Sequence, residues 1–253
     1  MKLFYKSRGK GNVMIILHGL FGSSDNWQSI AKKFSEINQV ISVDQRNHGR
    51  SFHHQKFDYD VMVEDLEHLY QSLNLAEAVL IGHSMGGKTA MKFALKNPAL
   101  VSKLIVVDIA PKYYPIHHDE IIDALCNLKI KKTERREELD RSLAKSIPNP
   151  VVRQFLLKNV ERDAKNNLKW RINLPVIRKN LDKIGEEIKG KEPYNRPALF
   201  IAGALSNYVK TEDEGQIKNL FPKATITYFK KAGHWIHADA PEDFIELVAS
   251  YIK

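Results

Sequence analysis

The run Ala78-Val79-Leu80-Ile81-Gly82-His83-Ser84-Met85-Gly86-Gly87-Lys88-Thr89-Ala90-Met91-Lys92-Phe93-Ala94-Leu95 passes from four apolar residues, through a serine between glycines, into a helix-competent stretch. Four apolar residues without polar alternation read as a strand covered on both faces. Gly82-His83-Ser84-Met85-Gly86 then has the Gly-x-Ser-x-Gly form, in the strand–turn–helix setting where a serine is held on a sharp turn above a sheet. The glycines have a steric reason: strand and helix close on each other only if the flanking positions carry almost no side chain. A helix beginning there also aims its first amides at any negative charge that develops beside the serine hydroxyl.

Working outward, apolar runs of the same form recur at Val13–Leu17, Val40–Val43, Leu104–Val107 and Ala198–Ile201, each ended by a turn signal. Helical spacing lies between them. Ser24 is a candidate cap for a helix through Trp27, Ile30, Ala31 and Phe34, and Val61 to Leu73 is apolar at 62, 63, 66, 69, 70 and 73. Alternating strands and helices predict a mostly parallel central sheet flanked by helices on both faces. After Pro111 the alternation stops. Residues 112–193 read as helical, polar and broken by Pro148, Pro150 and Pro175, with no buried-strand run. The alternation then resumes with Ala198–Ile201, a helix near Glu212–Leu220, a strand Ala224–Phe229 and a last helix Pro241–Ile252. The expected organisation is an α/β core of residues 1–111 and 194–253, with 112–193 inserted as a helical cap over the carboxyl ends of the strands, where open α/β sheets keep their ligand sites.

A serine hydroxyl is a weak nucleophile near neutral pH and needs a base within hydrogen-bond reach. His234, in Ala232-Gly233-His234-Trp235, falls between the last strand and the last helix and is the candidate, with His237 three residues on as a stand-in. An acid must orient that imidazole. The stretch after the penultimate strand, Gly203-Ala204-Leu205-Ser206-Asn207-Tyr208, contains no carboxylate. Asp108 ends the preceding strand and keeps the order Ser, Asp, His; Glu212 and Asp213, expected in an exposed first helical turn, are the alternatives. His18-Gly19-Leu20-Phe21-Gly22 follows the first central strand, so the amides of Leu20 and Met85 are the candidate oxyanion donors, and His18 reads as a residue holding the loop. Asp44-Gln45-Arg46-Asn47-His48-Gly49-Arg50-Ser51 reads as another packed turn near the site, scaffold rather than catalyst. Phe155 and Trp170 in the insertion, with Phe21 and Trp235, are candidate substrate contacts.

The chain has 253 residues and a formal net charge of +9. Residues 112–193 hold 19 Lys/Arg against 13 Asp/Glu, so +6 of the excess lies there. The two signs interleave, as in Lys131-Lys132-Thr133-Glu134-Arg135-Arg136-Glu137-Glu138, which reads as a solvated helix face and predicts no nucleic-acid partner. No run approaches the roughly 18 apolar residues of a membrane span, and Met1-Lys2-Leu3-Phe4-Tyr5-Lys6 lacks a signal peptide's apolar core, so a cytoplasmic protein without membrane insertion is expected. The single Cys126 reads as packing. His53-His54 and His117-His118-Asp119-Glu120 lack the His-Glu-x-x-His spacing of a helical zinc site, so no metal is expected.

His18-Gly19-Leu20-Phe21-Gly22-Ser23, Arg46-Asn47-His48-Gly49, Ile81-Gly82-His83-Ser84-Met85-Gly86-Gly87-Lys88, Val107-Asp108-Ile109-Ala110-Pro111 and Ala232-Gly233-His234-Trp235 together resemble the α/β-hydrolase esterases typified by the bacterial esterase YbfF. The resemblance covers the whole chain and thins within the insertion. It implies an α/β-hydrolase fold, a Ser84–His234–Asp108 triad in a family lacking the usual later aspartate, and hydrolysis of small-molecule esters or acyl thioesters, acyl-CoA included, without a cofactor. Other serine-dependent hydrolases of this fold, such as carbon–carbon bond hydrolases or perhydrolases, and a non-catalytic ligand receptor are the rival readings.

Overall fold

The computed structural model describes residues 1–115, 119–128, 130 and 135–253. The chain runs β1 Phe4–Arg8, β2 Asn12–Leu17, α1 Gln28–Phe34, β3 Asn38–Asp44, α2 Tyr59–Ser72, β4 Ala78–His83, α3 Met85–Lys96 and β5 Val101–Val107. Then come α4 Asp119–Asn127, α5 Arg136–Leu143, α6 Pro150–Leu157, β6 Val160–Arg162, β7 Leu168–Trp170, α7 Leu174–Lys179 and α8 Leu181–Gly185. The chain ends with β8 Ala198–Gly203, α9 Glu214–Leu220, β9 Ala224–Phe229, α10 Ile236–Asp239 and α11 Pro241–Ile252.

Seven strands form one sheet in the order β1-β3-β2-β4-β5-β8-β9. All neighbours are parallel except β1, which runs antiparallel along the β3 edge. The continuous apolar runs are explained by burial on both faces. Along β2, Ile15 and Leu17 pack with Met62, Leu66, Ala90 and Phe93 from α2 and α3. Met14 and Ile16 pack on the other face with Ile30, Phe34, Phe244 and Val248 from α1 and α11. A strand with period two thus feeds two cores, so neither set of side chains can become polar without loss. α2 begins two residues earlier than the apolar spacing suggests, because Asp58 Oδ1 caps it by accepting the Val61 amide at 3.0 Å.

Residues 112–193 lie between β5 and β8. Their described residues include the five helices α4 to α8, but β6 and β7 form an antiparallel hairpin, Val160↔Trp170 to Arg162↔Leu168, where the sequence predicts no strand. β1 is likewise absent from the sequence reading. Both are short and half exposed, so neither leaves a buried apolar run to be seen. Among the described residues, no helix is long and apolar enough to cross a membrane. His117 and His118, and Lys131 to Glu134 of the charge-alternating stretch, lie outside the described residues.

Candidate active site

The carboxyl ends of β4 and β5 and the loop after β9 carry Ser84, Asp108 and His234. Ser84 follows β4 directly, with φ 52° and ψ −120°. A non-glycine residue in such a conformation costs on the order of 1–3 kcal/mol and persists only where its surroundings hold it. Here the Ser84 amide donates to Val107 O at 3.0 Å, and α3 begins at once with Met85. A Cβ on Gly82 would lie 2.2 Å from Gly86 O, and one on Gly86 would lie 2.5 Å from the carbonyl oxygens of both Leu17 and His18. The glycines are therefore required by the closeness of helix and strands. Met85, as the first residue of α3, has an amide with no acceptor inside the helix.

Asp108 follows β5 in a left-handed conformation, φ 50°, and is fully buried. His234 Nδ1–H donates to its Oδ2 at 2.8 Å. The carboxylate also accepts the Gly203 amide at 2.8 Å and the Ser206 hydroxyl. The loop after β8, which carries no acid of its own, thus supplies two donors that hold the acid of the neighbouring strand. Ser206 was not singled out from sequence, where it is one polar loop residue among many. The His234 ring stacks on Tyr208, with centroids 4.0 Å apart at 20°, and its carbonyl accepts His83 Nε2–H at 2.8 Å.

The alternatives stand elsewhere. Asp213 is buried, against the exposed position expected for it, because both its oxygens pair with Lys112 Nζ, at 2.9 and 2.7 Å. Its Oδ2 also accepts the Lys210 amide at 2.8 Å. Glu212 is exposed, 3.9 Å from Lys210. His237 is buried, stacked on Trp27 at 4.1 Å, and burial holds its imidazole down to about 3, so it is neutral at physiological pH.

The loop Gly19–Gly22 is a tight turn closed by Gly22 N–H to Gly19 O at 2.9 Å, with Phe21 at φ 59° in its third position. Two buried histidines hold it. His18 Nδ1–H donates to Gly19 O at 2.8 Å while its Nε2 accepts the Gln45 amide at 2.9 Å. His48 Nδ1–H donates to Arg46 O at 3.0 Å while its Nε2 accepts the Phe21 amide at 3.2 Å. Burial pushes the His18 imidazole below its usual range and His48 down to about 3, so both keep the neutral form this bonding needs. The loop-holding part of His48 was hidden in sequence, since His18 and His48 are 30 residues apart and meet only when β2 and β3 pair.

Ser84, Leu20 and Met85 line one cavity of about 40 Å³ with Tyr59, Lys88, Tyr114, Ile184 and Tyr208. Lys88 is buried there, its Nζ donating to the carbonyls of Lys112 at 2.9 Å, Gly185 at 3.0 Å and Glu186. Burial lowers its ammonium to about 7, against the pull of Glu186 and Glu187. None of the four aromatic residues proposed for substrate contact is among the residues lining this cavity. Phe155 and Trp235 face each other, centroids 5.4 Å apart, in a second cavity of about 380 Å³. Trp170 ends the β7 strand, and Phe21 is buried in the turn. Cys126 packs half-buried in α4 against the larger core. Among the described residues, no group of three or more His, Cys, Asp or Glu side chains is placed to hold a metal ion.

Comparison with known proteins concerns the chain as a whole. Residues 12–126 match the model of the α/β-hydrolase fold family. The chain is 41% identical to the sn-1-specific diacylglycerol lipase ABHD11 of Danio rerio, over 98% of this chain and 81% of that protein. It is 32% identical to esterase YbfF of Escherichia coli K12, over 95% and 92%. A solved marine microorganism esterase superposes with a TM-score of 0.96 at 43% identity, covering 98% of both chains. Likeness at that level, along nearly the full length of both partners, shows that this chain belongs to the α/β-hydrolase family.

Proposed function

We propose that this protein hydrolyses small-molecule carboxylic esters, and acyl thioesters of the acyl-CoA type, through an acyl-enzyme on Ser84. The observation that carries the reading is the His234–Asp108 hydrogen bond of 2.8 Å, anchored on a buried carboxylate at the same carboxyl end of the sheet as the strained Ser84. The names of the relatives, lipase for one and esterase for two, support ester cleavage.

With Nδ1 donating to Asp108, His234 Nε2 is left as the base. It takes the Ser84 proton as Oγ attacks the carbonyl carbon, and Asp108 stabilises the imidazolium that results. The oxygen of the tetrahedral intermediate gains negative charge, which the amides of Leu20 and Met85 receive; one such donor is typically worth about 3–4 kcal/mol of barrier. Collapse passes the imidazolium proton to the departing alcohol or thiol. Water, deprotonated by the same imidazole, then releases the acid and restores Ser84. Residues 112–193 act as a cap, since the carbonyls at the end of α8 close one wall of the Ser84 cavity. The Phe155–Trp235 cavity offers further apolar surface beside the His234 loop.

Ser84→Ala removes the nucleophile and is expected to leave less than a few per cent of activity on p-nitrophenyl esters and acyl-CoAs, with the fold intact. Parent-like hydrolysis by that variant would remove the assignment.

A further inference from the structure

The oxyanion loop is held from two sides, and one of them belongs to the insertion. Asn159, buried between α6 and β6, donates from Nδ2 to Phe21 O at 2.6 Å across 138 residues of sequence. Its second amide hydrogen goes to Leu156 O at 3.2 Å, and its main-chain carbonyl accepts the Arg171 amide at 2.7 Å, so the side chain and the backbone that carries it are each held.

Two peptide planes connect that bond to the Leu20 amide. A trans peptide is planar, with its C=O and N–H pointing in opposite directions, so fixing one end aims the other. Asn159 fixes the oxygen of the Phe21–Gly22 plane, whose other end, Gly22 N–H, donates to Gly19 O at 2.9 Å. Gly19 O is one end of the Gly19–Leu20 plane, and the other end is the Leu20 N–H. The turn needs this support. Its third position requires a positive φ, which suits glycine or asparagine, yet Phe21 stands there at 59°. His48 steadies the intervening Leu20–Phe21 plane by accepting the Phe21 amide.

We propose that Asn159 is a positioning residue for the oxyanion donor, so that docking of the inserted segment and assembly of the oxyanion hole are one event. The inference rests on the reading of Ser84 as nucleophile and Leu20 N–H as donor. A merely structural Asn159 would affect stability or substrate affinity, whereas a positioning residue affects the transition state.

The test compares the parent with Asn159→Ala and Asn159→Asp, the latter similar in shape but presenting an acceptor to the Phe21 carbonyl. Asn173→Ala is the control: it removes another bond between insertion and core, Asn173 Nδ2 to Asn47 Oδ1 at 3.1 Å, without touching the two planes. Three quantities are read: kcat and KM on a p-nitrophenyl ester, the inhibition constant of a trifluoromethyl ketone that binds as an oxyanion, and the site of fluorophosphonate labelling. Both Asn159 variants are expected to lose about tenfold to a hundredfold in kcat, less than the ~10²–10³ of deleting a donor outright, with KM nearly unchanged. Trifluoromethyl ketone affinity should fall by a matching factor, and Asn173→Ala should keep both. Parent labelling at Ser84 with unchanged kcat in either folded Asn159 variant, or an equal loss in Asn173→Ala, would overturn the Asn159 proposal alone. Labelling of the parent anywhere but Ser84 would overturn the underlying reading and the proposal with it.

Discussion

At the scale of single residues, the decisive contrast is between two buried aspartates with different partners. Asp108 accepts from a backbone amide, a hydroxyl and the His234 imidazole, so its charge faces the ring proposed as the base. Asp213 is held by Lys112 and the Lys210 amide, so its charge is spent on tying the insertion to the loop before α9. The two should therefore fail differently on neutralisation. Asp108→Asn is expected to lower kcat by about 10⁴-fold, because an amide in that place favours the wrong imidazole tautomer. Asp213→Asn should leave kcat within about threefold while costing about 1–3 kcal/mol of stability through the Lys112 bonds. Steady-state kinetics and urea unfolding of the two variants separate these outcomes, and a collapse of kcat in Asp213→Asn with an unaffected Asp108→Asn would reverse the assignment. Asp108 and His234 were legible in sequence because each stands just beyond a strand-like run. The burial of Asp213 was not, since Lys112 is 101 residues away and nothing local announces the pairing.

At the scale of elements, α3 does two things: it starts directly after Ser84, the proposed nucleophile, and its fourth residue is a buried lysine. Lys88 caps carbonyls of Gly185 and Glu186 at the end of α8, where a cation complements the helix dipole. Its ammonium is lowered from 10.5 to about 7, chiefly by desolvation. The unfolded chain therefore binds more protons than the folded one between those values, and the sign follows: this lysine makes stability rise with pH from about 7 towards 10.5. The cost of burying its charge is fully present below pH 7. In Lys88→Met the parent's rise across that window should largely disappear; urea midpoints taken every half unit of pH would show it, and identical pH profiles for parent and variant would contradict it. The sequence reveals α3 and β4 because an apolar run, two glycines and a helix-competent stretch stand side by side. The hairpin β6–β7 and the walls of the Ser84 cavity escape it. Three-residue strands leave no periodicity, and Tyr59, Lys88, Tyr114 and Ile184 converge only through the order in which the sheet is wound.

At the scale of the whole molecule, the insertion is joined to the core on two sides of the candidate site. On one side Tyr59 Oη and Lys88 Nζ bond carbonyls from Ile184 to Glu186; on the other Asn159 bonds Phe21 and Asn173 bonds Asn47. Several of the basic residues that give the insertion its excess charge are engaged in ion pairs, Arg153 with Asp140, Arg178 with Asp123 and Arg171 with Asp25. This charge is therefore partly neutralised in place rather than presented as an open cationic face. The fold thus gathers a strained serine, a histidine steadied by a buried acid and a braced amide loop at the carboxyl end of the sheet, and the central claim is that these act as one covalent catalyst. Mass spectrometry of the protein quenched during turnover of a short-chain p-nitrophenyl ester tests that claim most directly. One acyl group is expected, carried on Ser84 and absent from Ser84→Ala. An acyl group on another residue, or full turnover with no acylated protein and undiminished activity in Ser84→Ala, would contradict it.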